Sequence, residues 1–138
     1  MSRKKLVKKI SNSFNRQSLM TTLGASLDTV EPGRVIITAP IVDGAQQQHG
    51  FAHAGLTFAL GDSAAGYTAL SVMPEDAEVL TAEMKINLLA PGKGDRLIAE
   101  GRVIKPGRRL IVAAADVFAE EAGQRTLIAT LMGTLVPV

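Results

Sequence analysis

The chain has 138 residues and no cysteine, which excludes disulfides, thiolate metal sites and cysteine nucleophiles. Apolar residues make up 46% of it, enough for one domain with a real core, and the length is too short for two comfortable ones. The formal net charge is +2, but Arg3, Lys4, Lys5, Lys8 and Lys9 crowd one end and no acid precedes Asp28; without those five, ten basic residues face 13 acidic ones.

Residues 3–22 favour a helix, with Leu6, Val7, Ile10 and Phe14 forming a patchy apolar stripe among the basic residues. Residues 1–22 are therefore read as a basic helical segment and 23–138 as a single domain. The basic run could serve as an arm for nucleic acid or a membrane surface. A solvated helix face or a frayed terminus is the simpler expectation, so neither partner is expected. A secretory leader would need an unbroken apolar stretch, whereas Lys8 and Lys9 interrupt Leu6, Val7 and Ile10. The expected compartment is the cytoplasm.

Residues 23–41 read as two short strands around the turn Glu31-Pro32-Gly33-Arg34. Residues 41–52 form a polar, glycine-containing loop that leads into 53–73, the stretch around which the rest is organised. It contains no proline or basic residue, and its one charge is Asp62. Its apolar residues point to every side of a helical wheel, the pattern of a buried helix. Gly55, Gly61, Ser63 and Gly66 keep it thin, which suggests that another element wraps closely around it. About 20 residues at ~1.5 Å each give a rod of ~30 Å. A carboxylate in the middle of such a helix needs a hydrogen-bonding partner or a purpose.

Four strand-like segments follow. In the first, Ala82, Met84, Ile86 and Leu88 alternate with Thr81, Glu83, Lys85 and Asn87, as in a half-buried strand. The others run over residues 97–104, 110–119 and 125–136, separated by short turns, and the short turns predict an antiparallel meander of all four. The expected fold class is α+β, one antiparallel sheet curled around one long central helix.

Several chemistries lack their residues. There is no G-x-S-x-G turn and no phosphate-type glycine loop. His49 and His53 are four apart but have no convincing further ligands, so no metal is expected. The start of the central helix, at Ala54 and Gly55, offers free N–H groups and the positive end of the helix dipole to an anion.

The string QQQHGFAHAGLTFALGDSAAGYTAL, followed by VLTAEMKINLLAPGKGD and GRVIKPGRRL, resembles the hotdog-fold acyl-CoA thioesterases of the phenylacetate-degradation (PaaI-like) type. Their signature is His-Gly-Gly at the start of the central helix, an acid nine residues after that His, and an N-L/F-L-x-P strand end. His53 and Asp62 have that spacing, and Asn87-Leu88-Leu89-Ala90-Pro91 supplies the strand end; Ala54 replaces the first glycine. The resemblance covers residues 19–138. It implies hydrolysis of an acyl-CoA without a cofactor, CoA being part of the substrate, in a homodimer or dimer of dimers whose sites are shared between chains. Asp62 would be the general base or nucleophile, and the Ala54 N–H would polarise the carbonyl beside Gly55. Gln47 would position the thioester or water and Thr81 would orient the water, while His53 braces the loop. Alternation puts Thr81 away from the apolar face, so it must face a subunit boundary or follow a bulge. Lys93, Arg96, Lys105, Arg108 and Arg109 cluster at two turns and could meet the CoA phosphates. A non-catalytic acyl-CoA binder, a hotdog hydratase or dehydratase, and a DNA-binding regulator remain as alternatives.

Overall fold

A computed structural model describes all 138 residues. Helix α1 (Arg3–Arg16) starts at Ser2, whose side chain accepts from the Lys5 N–H, and buries Leu6, Ile10 and Phe14 on one face. The expected single helix over 3–22 breaks at Gln17, where ψ is 100°; α2 (Ser18–Thr22) resumes beyond it. The break turns Gln17 inward, where its amide meets Tyr67.

Strands β1 (Ser26–Glu31) and β2 (Arg34–Pro40) form the expected hairpin, with Gly33 at φ 82° in its turn. The 41–52 loop folds into a 3-10 turn at Asp43–Ala45 and a tight loop closed by a bridge between Gln46 and Ala52. Helix α3 (Ala54–Leu70) follows, one residue later at its start and three shorter at its end than the apolar pattern suggests. Ser71, Val72 and Met73 continue it only as tight turns. Strands β3 (Val79–Leu88), β4 (Arg96–Pro106), β5 (Ile111–Glu121) and β6 (Gln124–Pro137) complete one antiparallel sheet in the order β1-β2-β4-β5-β6-β3. No helix is long and apolar enough to cross a membrane.

The sheet order corrects the four-strand meander. Of those four, only β4, β5 and β6 are consecutive neighbours; β3 pairs with β6 at the far edge, so the chain crosses two strands to start β4. A second correction lies within β3. Its register with β6 shifts between Thr81 and Glu83, with Ala82 as the extra residue, so Ala82 is exposed while Met84 and Ile86 face inward. A bulge of this kind re-aims the side chains beside it.

The sheet does wrap α3 closely. A methyl added to Gly61 would lie 2.7 Å from the Leu131 side chain, and one added to Gly101 of β4 would strike the Ala64 carbonyl. Glycine on each side thus sets the helix–sheet distance. Thr68 accepts from the Val35 N–H at 3.1 Å, and Ser71 accepts from the Gly33 N–H at 2.8 Å, so the last turns of α3 bind the β1–β2 hairpin. Helix α1 joins the same core and packs against β1.

The two sheet edges therefore differ. The β1 side carries α1, whereas β3 presents ten residues, among them Leu80 and Leu88 at 59% and 58% exposure. The stripe of α3 that the sheet leaves most open runs through Ala54, Gly55, Phe58, Ala59, Asp62 and Ser63. Both lie on one side of the molecule, because Thr81 of β3 touches Asp62 of α3.

Candidate active site

Asp62 sits half-buried in the middle of α3, and Thr81 Oγ1 donates to its Oδ1 at 2.8 Å. Of the two sequence alternatives for Thr81, the bulge is the one observed. The pair lines a cavity of about 380 Å³, together with Ser13, Gln17, Ser63, Gly66, Tyr67, Glu78, Val79 and Leu80. Ser13, Gln17, Tyr67 and Glu78 were not among the residues expected at the site. A lone tyrosine one turn beyond an acid, whose hydroxyl must find a partner when buried, was the available signal.

At the start of α3, His53 is the N-cap. Its Nδ1 accepts the Gly55 N–H at 2.8 Å, and its carbonyl accepts from Leu56 and Thr57. Nδ1 as acceptor leaves the ring proton of the neutral imidazole on Nε2. This corrects the expectation of several free donors. The Gly55 N–H is committed to His53, and among the four N–H groups from Ala54 to Thr57 only that of Ala54 makes no hydrogen bond. A side chain at Gly55 would also press on the imidazole, since its Cβ would lie 3.0 Å from Nδ1. Gly55 thus makes room for the cap. His53 braces the helix start more than the loop before it.

Gln47 does not present its carbonyl oxygen to a substrate: Oε1 accepts from the His49 and Phe51 N–H groups and holds the loop shut. The residue still borders a second cavity, of about 340 Å³, which it shares with Ala54 and Thr57 and with apolar walls from Ala52, Leu88, Ala90, Pro91 and Ile128. His49 lies with its ring centroid 6.5 Å from that of Phe51.

One chain thus holds two half-sites. Asp62 and Thr81 border one cavity, Ala54 and Gln47 the other, and neither of the two contains both Asp62 and Ala54. Eight residues of helix separate them, ~12 Å along the axis.

The basic residues divide as well. Arg96 is taken up by Glu120: Nε donates to Oε1 at 2.9 Å, and this bond raises the guanidinium pKa and lowers that of the Glu120 carboxyl. Lys93, Lys105, Arg108 and Arg109 are exposed and form no ion pair, but they do not form one cluster. Lys93 precedes β4 and the other three lie at or just beyond its end, and eleven strand residues span ~35 Å. The register sets Pro106 opposite Ile111, Ile111 opposite Leu135 and Leu135 opposite Thr81, so the distal three share the Asp62 end of the sheet. Gly92 packs on Ala52, which places Lys93 at the Ala54 end. In the N-terminal run, Lys9 Nζ donates to the Glu75 and Ala77 carbonyls, both at 2.7 Å, and Lys5 approaches Glu75 at 3.7 Å. Lys9 ties α1 to the segment leaving α3.

The family model of the thioesterase superfamily matches residues 49–126, from the loop before α3 to the start of β6. A crystal structure of a thioesterase family protein from Silicibacter pomeroyi is 46% identical, covers 96% of this chain and 98% of its own, and superposes with a TM-score of 0.94. A protein of Deinococcus radiodurans named as a presumed esterase is 32% identical over 84% of this chain and 73% of its own length. The PaaI protein of the E. coli phenylacetic acid degradation operon shares the fold, with a TM-score of 0.87 over 97% of this chain and 94% of its own at 21% identity. With its six-stranded antiparallel sheet wrapped on one central helix, the chain is a hotdog-fold protein and belongs to the thioesterase superfamily, enzymes that hydrolyse thioesters.

Proposed function

We propose that the protein hydrolyses acyl-CoA thioesters to a carboxylic acid and free CoA, in active sites that each combine two chains. The observation that carries this reading is the division of the apparatus: an unpaired N–H at Ala54 and a carboxylate fixed by Thr81 lie in separate cavities of one chain but on the same open side. A two-fold pairing along the uncovered β3 edge, with the two α3 helices antiparallel, would set Asp62 of one chain against Ala54 of the other. It would also bring Lys93 of the second chain and Lys105, Arg108 and Arg109 of the first towards one substrate, where they could hold CoA phosphates. The assembly is a homodimer, or a dimer of such dimers.

In this arrangement the thioester oxygen accepts the Ala54 N–H at the positive end of α3, where negative charge is favoured. Asp62 takes a proton from water held with the help of Thr81, and the water oxygen adds to the carbonyl carbon. The tetrahedral oxyanion stays on the Ala54 N–H. When it collapses, the C–S bond breaks and the proton on Asp62 passes to the leaving thiolate, which gives acid and CoA thiol. Gln47 contributes through its loop, and its amide N–H groups stay free of protein partners on a residue that borders the Ala54 cavity.

The test is a thiol-release screen over short, medium, long and aryl acyl-CoAs. Steady release from at least one, lost in Asp62→Asn, is the expected result. Saturable binding across the panel with no release would make the protein an acyl-CoA binder instead.

A further inference from the structure

The cavity that holds Asp62 continues along the next turn of α3 to Tyr67, and its far wall comes from α1 and the break behind it. Tyr67 is 4% exposed. Its phenol oxygen accepts from Gln17 Nε2 at 2.8 Å and lies 3.0 Å from Ser13 Oγ. A buried phenol needs a partner, and that need accounts for one of these contacts.

The hydrogen count goes further. Ser13 and Tyr67 bring two hydroxyl hydrogens to a single contact, and only one of them can lie between the two oxygens. Neither oxygen has a second protein acceptor, and the carbonyl end of the Gln17 amide has no protein donor. One hydroxyl hydrogen and the Gln17 carbonyl oxygen are thus without a protein partner, on half-buried residues that line the far end of the cavity. A hydroxyl group is the guest that uses both at once. An alkyl tail would displace water from Ser13, Gln17 and Ser63 without replacing its hydrogen bonds. A second carboxylate would enter a cavity already bordered by Asp62 and Glu78.

On the thioesterase reading above, which this proposal presupposes, we infer that the acyl group carries a hydroxyl at its far end and that Ser13, Gln17 and Tyr67 recognise it. Five residues of helix separate Asp62 from Tyr67, roughly 7.5 Å, about the reach of a six-carbon acyl chain. The N-terminal helix is then a specificity wall for a site whose chemistry lies elsewhere.

The experiment compares 6-hydroxyhexanoyl-CoA with heptanoyl-CoA, where a methyl replaces the hydroxyl, and with adipoyl-CoA. Wild-type kcat/KM should favour the hydroxy substrate at least about tenfold over either, since a site built to bind a hydroxyl discriminates against its absence. In Ser13→Ala and Tyr67→Phe the preference over heptanoyl-CoA should fall below about threefold. Thiol release without preference in the wild type, or a preference that survives in whichever variants fold, overturns the inference and leaves the thioesterase reading standing. Absence of thiol release from all three defeats that reading for these substrates. Calorimetric binding of the same thioesters then decides the hydroxyl preference on its own, equal affinities for the hydroxy and heptanoyl thioesters counting against it.

Discussion

Thr81 Oγ1 donates to Asp62 Oδ1 over 2.8 Å, and this bond joins the exposed edge strand to the middle of the central helix. The bulge at Ala82 makes it possible, since regular alternation would turn Thr81 away. Asp62→Asn keeps an oxygen that can accept from Thr81, so the fold should survive while turnover falls by roughly 100-fold or more. Thr81→Ala removes one hydrogen bond to a charged group and should cost about tenfold in kcat, with Thr81→Ser close to wild type. Wild-type turnover in a folded Asp62→Asn protein would remove Asp62 from the mechanism.

How far such features could be read in advance depended on their range in sequence. The β1–β2 hairpin turn, the buried helix and the strand segments are written in local patterns, and the structure contains each of them, although the alternation of β3 holds only for Met84 and Ile86. Nothing local says which strand β3 will join. It pairs with β6, whose residues lie forty or more positions further along the chain, a non-local fact. The break at Gln17 was hidden for a similar reason. The helix itself has no proline or glycine there, and the partner that Gln17 meets at the break is the Tyr67 hydroxyl, fifty residues away. At the site, a lone carboxylate midway along the helix and free N–H groups at its start were legible from the helix pattern, and the resemblance singled out Ala54 among them. The use of Gly55 by His53 was not, because a histidine N-cap is an unusual choice beside Ser, Thr, Asp or Asn.

That cap gives a stability prediction. His53→Ala leaves the Gly55 N–H without its acceptor and should lower stability by about 1 kcal/mol, the usual cost of losing an N-cap. His53→Asn offers an equivalent acceptor and should recover most of it. Thermal unfolding of the three proteins measures both effects. Equal melting temperatures for wild type and His53→Ala would show that Nδ1 contributes nothing.

The pair Arg96–Glu120 predicts a pH effect remote from the chemistry. The hydrogen bond from Arg96 holds the Glu120 carboxyl below its usual pKa, so its contribution is present above the ordinary carboxylate range and disappears as pH falls through the lowered native value. Arg96→Met should therefore be less stable than wild type at neutral pH, and the gap should close in acid. Denaturant midpoints from pH 7 down to about pH 3 would test the sign. A gap that widens in acid would contradict it.

The two-chain site makes the strongest prediction. Ala54→Pro deletes the free N–H, and the substitution suits its place: proline is accepted in the first helical turn, and His53, at φ −63° and ψ 143°, already has the extended conformation that a residue before proline prefers. Asp62→Asn deletes the base. Each variant alone should be nearly inactive, because every site in it lacks one group. When the two are mixed and allowed to exchange subunits, about half of the pairs are mixed. In a mixed pair, one site receives the intact Ala54 N–H from the Asp62→Asn chain and the intact Asp62 from the Ala54→Pro chain, and the other site lacks both. Activity should recover to roughly a quarter of wild type, rising on the timescale of subunit exchange. A site built within one chain gives no recovery at any mixing time, so a dead mixture of two folded, exchanging variants rejects the shared site.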